Sequence, residues 1–151
     1  MADPAVVGLC FVKSYYKSLN TAPQDLHLYF AKSATYTYGW EGAERDDGTA
    51  CTTAKGREEI KETLKTLQIG LVKVLSVISS QESVGGGIVV MVTGEWTPDQ
   101  SQNVSRRFME TFFLEPKGTN GFCIRNDIFY ILQESLPKSS QGMLRFFLIS
   151  F

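Results

Sequence analysis

Arg106-Arg107-Phe108-Met109-Glu110-Thr111-Phe112-Phe113-Leu114 and, after a turn, Phe122-Cys123-Ile124-Arg125-Asn126-Asp127-Ile128-Phe129-Tyr130 are the stretches whose reading decides the fold. Side chains alternate across an extended backbone. Phe108, Phe112 and Leu114 therefore share one face of the first stretch, and Met109, Thr111 and Phe113 share the other. The same period of two puts Phe122, Ile124, Asn126, Ile128 and Tyr130 on one face of the second. Pro116-Lys117-Gly118-Thr119-Asn120-Gly121 has turn chemistry, so the strands expected over 106–114 and 122–132 form a hairpin.

Working back toward the N-terminus adds more strands. Residues 88–96 are nearly continuously apolar, as a central strand is, and 72–79 form its neighbour. Gly85-Gly86-Gly87 between them is a turn; no Lys-Ser/Thr pair follows, so it is not a phosphate loop. Thr97-Pro98-Asp99 turns the chain toward the hairpin. The helices come first. Asp3-Pro4 reads as an N-cap followed by the proline favoured at the first helical position. Val7, Phe11, Tyr15 and Leu19 then recur every four residues on one face, and Asn20-Thr21-Ala22-Pro23 stops the helix. A second, short helix is expected over 24–30 and a third over 57–67, where Ile60, Leu64 and Leu67 make the buried stripe. Thr35-Tyr36-Thr37-Tyr38 reads as a strand, and 39–56 as a solvated surface loop. The order predicts an α+β fold with three N-terminal helices on one face of an antiparallel sheet. Residues 1–132 make one domain. Residues 133–151 are a tail that passes from linker-like to strongly apolar, and from Ser135 onward it is expected to be dispensable for the fold.

The 151 residues carry 15 basic and 16 acidic side chains, a formal charge of −1, so no bulk field draws in nucleic acid or an anionic membrane. Three widely spaced cysteines, Cys10, Cys51 and Cys123, suggest reduced thiols rather than a disulfide framework. With His27 as the sole histidine, no structural zinc site and no cofactor are expected. The N-terminus lacks a secretory pattern, and a cytoplasmic setting is the default reading.

Single residues add little chemistry. His27 on a short helix reads as structural or exposed. Arg106 and Arg107 point to opposite faces of a strand, which rules out a joint phosphate clamp. Trp40 and Trp96 read as core or interface. Glu41, Glu44, Asp46 and Asp47 lack calcium-loop spacing. Asp127, among strand hydrophobics, is similar to a buried catalytic acid. Spacing assigns it no constellation of a tyrosine and two carboxylates, so catalysis is not expected.

Several motifs together resemble one family. They are Val7-Gly8 with Phe11-Val12 and Tyr15-Tyr16, then Leu19-Asn20, Ala22-Pro23 and Leu26-His27, and later the Arg106–Phe112 stretch with Asn126-Asp127-Ile128-Phe129. Over residues 6–132 the chain resembles the nuclear-transport-factor-2-like domain of the Rasputin (Ras-GAP SH3-domain-binding protein) family of stress-granule proteins. The resemblance implies a cone-shaped, non-catalytic homodimer of the cytoplasm, with stress granules and some nuclear presence. It implies a groove for Phe-Gly-Asp-Phe-like linear motifs, lined by Val7, Phe11, Tyr29 and Phe122, and no direct nucleic-acid or membrane binding. Tyr29 stands where the family has phenylalanine, Leu28 where it usually has arginine and Gly121 where it often has lysine. Losing those two charges lowers attraction for an acidic motif. Two alternatives belong to the same fold: a transport factor binding nucleoporin Phe-rich repeats and a small GTPase, and a small enzyme.

Overall fold

The structure, a computed structural model, describes residues 3–42, 51–67, 69–98 and 104–133. Glu44, Asp46, Asp47 and Asp99, and the expected tail beyond Gln133, lie outside the described residues. Helix α1 spans Pro4–Thr21, and the Asp3 carboxylate caps it by accepting from the Ala5 amide at 2.9 Å. The expected second helix is a 3-10 helix, Pro23–Tyr29. Helix α2 spans Arg57–Leu67, with Glu58 and Glu59 in its first turn and Lys65 in its last, the order the helix dipole favours.

Six strands form one curved sheet: β1 Phe30–Trp40, β2 Cys51–Lys55, β3 Leu71–Glu82, β4 Ile88–Thr97, β5 Arg106–Lys117 and β6 Gly121–Ile131. Their order is β2-β1-β6-β5-β4-β3. The expected all-antiparallel sheet is corrected here, because β1 and β6 pair in parallel. The segment through α2 carries the chain from one edge of the sheet to the other. The β3–β6 meander then returns by antiparallel steps, and its last strand arrives running with β1. The expected loop over 39–56 is corrected as well. Its end, Cys51-Thr52-Thr53-Ala54-Lys55, is an edge strand paired to β1, with Ala54 buried and the Thr37 and Thr53 hydroxyls 2.9 Å apart. Five residues with one buried alanine are too short a pattern to read as period two.

The third correction concerns faces. The β5–β6 register slips between Phe113 and Leu114, which pair with Asn126 and Ile124 and leave Arg125 as an extra residue, a bulge. A bulge inverts the alternation beyond it. Ile124 is buried as expected, but Asn126 and Ile128 are exposed, and Asp127, Phe129 and Ile131 point inward instead.

The core lies between the concave face and the helices: Val12, Tyr15, Tyr16 and Leu19 of α1 join Val90, Phe108, Phe112 and Leu114, and Ile60 buries α2 on the side of β1 and β2. Gly8 lets α1 approach β3 closely; a Cβ there would collide with the Ser80 side chain, whose hydroxyl donates to the Pro4 carbonyl at 2.6 Å. The three cysteines are free thiols. Among the described residues no helix is long and apolar enough to cross a membrane.

Candidate functional site

Of the four expected groove residues, three come together on α1 and the 3-10 helix. Val7 and Phe11 lie one turn apart on α1, both half-buried. The Phe11 ring meets Phe112 edge-on at 4.8 Å, stacks on Tyr15 at 5.5 Å and faces the edge of Tyr29 at 6.4 Å. Edge-to-face and offset geometries are the favoured ones for aromatic pairs. The Tyr29 hydroxyl lies 2.7 Å from the Ser14 hydroxyl and 2.8 Å from that of Ser18, so the tyrosine ties the 3-10 helix to α1.

Phe122 joins them less directly. It opens β6, opposite Pro116, and enters no ring pair among the described residues. The parallel β1–β6 pairing sets Phe30 against Ile124, so Tyr29 and Phe122 lie toward the same end of those two strands. Leu28 and Gly121 are exposed. The two arginines part as their alternation demands: Arg106 donates to the Leu132 carbonyl and Arg107 to that of Gly94, each at 3.2 Å.

One turn beyond Phe11, the fold assembles what spacing did not assign. Glu110 occupies the inward position between Phe108 and Phe112, and the bulge turns Asp127 inward beside it. Both are buried, at 2% and 0% exposure. Tyr16 donates to Glu110 Oε1 at 2.5 Å and Tyr15 to Asp127 Oδ2 at 3.2 Å, while Asp127 Oδ1 has no hydrogen-bond partner among the described residues. Tyr36 from β1 completes the buried cluster.

Two carboxyl groups in a dry interior cannot both be charged cheaply. Burial, then the nearby Glu110 charge and its hydrogen bond, pushes Asp127 well above the ordinary carboxylate range. Burial raises Glu110 to about 7, and hydrogen bonds from Asp127 and Tyr16 pull it partway back. Both carboxyl groups therefore hold protons more tightly than ordinary carboxylates do. Burial, first, and the carboxylates, second, hold the phenols of Tyr15, Tyr16 and Tyr36 well above their usual range, so they remain donors. The available signal was Glu110 itself, a charge alternating with Phe108 and Phe112. Asp127 stood out among its strand hydrophobics, but the bulge reverses its expected face and so hid its pairing with Glu110.

Residues 7–131 match the nuclear transport factor 2 (NTF2) domain. The chain is 35% identical over 137 residues to a G3BP-like protein of Schizosaccharomyces pombe, covering 90% of this chain and 30% of that protein. It is 32% identical over 131 residues to a nuclear transport factor 2 of Arabidopsis thaliana, covering 85% of this chain and 26% of that protein. The chain thus spans less than a third of either relative. Its fold is similar to that of yeast Bre5, a Ubp3-associated protein, with a TM-score of 0.71 at 21% identity over 89% of this chain and 100% of that one. A ketosteroid isomerase-like protein from Erwinia carotovora atroseptica shares the fold as well, with a TM-score of 0.61 at 14% identity over 87% of this chain and 98% of that one.

Proposed function

This chain belongs to the nuclear transport factor 2 domain family, and from that premise we propose that it is a non-catalytic, homodimeric protein-binding domain. It docks Phe-Gly-containing linear motifs on Val7, Phe11, Tyr29 and Phe122, in a scaffold role within ribonucleoprotein assemblies such as stress granules. The observation that carries the reading is the Phe11 ring, half-buried between three aromatic partners. Its accessible part is apolar and already held in one orientation, which lowers the ordering cost of an aromatic anchor placed against it.

The acid cluster does not argue for an enzyme. A catalytic group must reach its substrate, and Asp127 and Glu110 are closed off from the surface, at 0% and 2% exposure. The dimer reading rests on the convex face. Met109 and Phe113 of β5 and Val89 and Met91 of β4 alternate with core residues and stay partly exposed there, and Ile128 is 51% exposed. A large apolar sheet face is the kind that obligate dimers cover.

Titration of a fluorescent Phe-Gly-Asp-Phe peptide tests the site. A well-folded Phe11→Ala protein should bind at least about tenfold more weakly, as hot-spot truncations do. Equal binding would place the groove elsewhere, and no binding at high micromolar concentration would remove the motif assignment. Light scattering at micromolar concentration should give the mass of two chains; a monomer mass would overturn the dimer.

A further inference from the structure

The start of β1 gathers cations from the elements around it. The β1–β6 register slips between Phe30 and Thr35, so that residues 31–34 face Arg125 alone. Arg125 donates to the Ser33 carbonyl, and Arg57 Nε, from the first turn of α2, donates to the Phe30 carbonyl at 2.9 Å. Lys55 of β2 pairs with Thr35, and Lys32 lies within the slip; both are exposed. Lys117 closes the group from β5. Burial and the Glu115 carboxylate raise the Cys123 thiol, while Lys117 and Arg57 pull it back, so both cations lie close to it.

None of these cations makes an ion pair among the described residues. The acids nearby are Glu58 and Glu59 in the first turn of α2 and Glu115, whose carboxylate accepts from the Cys123 thiol at 3.7 Å. Satisfying two backbone carbonyls needs donors, and neutral amides would serve; it does not need positive charges crowded around one short segment. We propose that Lys32, Lys55, Arg57 and Arg125 bind a phosphorylated serine or threonine in a segment of a partner protein. A guanidinium pinned to a carbonyl keeps its remaining N–H groups in a fixed fork, which phosphate oxygens match. A phosphate ester brings roughly two negative charges and three acceptor oxygens, enough to neutralise several of these cations. The exposed Ser33 between them adds a hydroxyl donor. A nucleic acid fits less well. Single strands are held by stacking bases on aromatic side chains, and the one exposed aromatic ring among the described residues, Trp40, stands at the other end of β1. The net charge of −1 gives a phosphate polymer no supporting field.

The test begins with a library of short peptides, each with a fixed phosphoserine and randomised flanks, selected on the full chain. Recovered peptides are synthesised with a fluorescent label, with and without the phosphate, and titrated by anisotropy at low salt. The phosphorylated form should bind at least about tenfold more tightly than its unphosphorylated twin. Its binding should weaken about tenfold or more in Lys32→Glu/Lys55→Glu and in Arg57→Gln/Arg125→Gln, less in Lys32→Gln/Lys55→Gln, and with added salt. It should bind the Phe11→Ala protein unchanged, which separates this surface from the aromatic patch. The lysine variants alter exposed positions and keep the test clean if the arginine pair also supports the fold; thermal midpoints verify folding. Inorganic phosphate should compete only weakly. The proposal is wrong if no phosphate-dependent peptide is recovered, or if charge reversal at both lysines leaves binding intact. It is equally wrong if free phosphate binds as tightly as the peptides, which marks a small-anion site, or if a single-stranded RNA of mixed sequence binds more tightly than they do.

Discussion

At Phe11, α1 meets the sheet with a ring that stays half-exposed; one turn on, at Tyr15 and Tyr16, it meets the sheet with rings that are almost wholly buried. All three lean on Phe112, at 4.8, 5.0 and 6.3 Å. What differs is the chemistry beneath them. Glu110 and Asp127 are buried polar groups that need donors, and the phenols of Tyr16 and Tyr15 supply them. Phe11 covers no such demand, so the surface there can stay open at the cost of some apolar exposure. The comparison teaches that an internal acid pair and a half-exposed aromatic surface can share one aromatic wall.

Removing the shared wall should damage both regions. Phe112→Ala empties a fully buried site touched by three α1 rings and should cost about 3–5 kcal/mol in a denaturant titration. Motif binding should fall with it. A loss below about 1 kcal/mol would show that the rings repack and that the two regions are not coupled.

The acid pair alone should respond to pH. Glu110 has a folded value of about 7 against an ordinary 4.5, so between those limits the folded chain binds the proton more tightly than the unfolded one. Its contribution is complete below the unfolded value and is lost as pH rises through the folded value. The loss is on the order of 3 kcal/mol. Glu110→Gln should flatten that part of the profile between pH 5 and 8, measured by chemical denaturation. An unchanged slope would show that the pair does not hold its proton as described.

The smallest effect is at the seam between the regions. Tyr29→Phe keeps the ring against Phe11 but removes the hydroxyl shared with Ser14 and Ser18, and should cost about 1 kcal/mol of stability. Motif-peptide affinity should stay within about twofold, since no apolar contact is lost. A large affinity change would mean that the hydroxyl itself faces the ligand.

Much of this was legible in the chain before any coordinates. The start of α1 at Pro4 follows from Asp3-Pro4, and the range expected for α2, 57–67, is the one observed. The inward set Phe108, Phe112 and Leu114 follows from alternation. The faces of β6 did not, because a bulge at one unpaired residue leaves no mark in composition. Glu110 could be suspected from its apolar neighbours, but its partners Tyr16 and Asp127 lie 94 and 17 positions away.

By itself, then, the sequence determined the α+β class, the amphipathic α1, the meander from β3 to β6 and membership of a family. These rest on local patterns: caps, periods of burial and turn chemistry. Only the tertiary structure decided the parallel β1–β6 pairing, the edge strand β2, the inward turn of Asp127 and the cations gathered around the start of β1. Each of these depends on contacts between segments far apart in the chain. Their geometry is set by how the whole sheet closes over its core, which no local window contains.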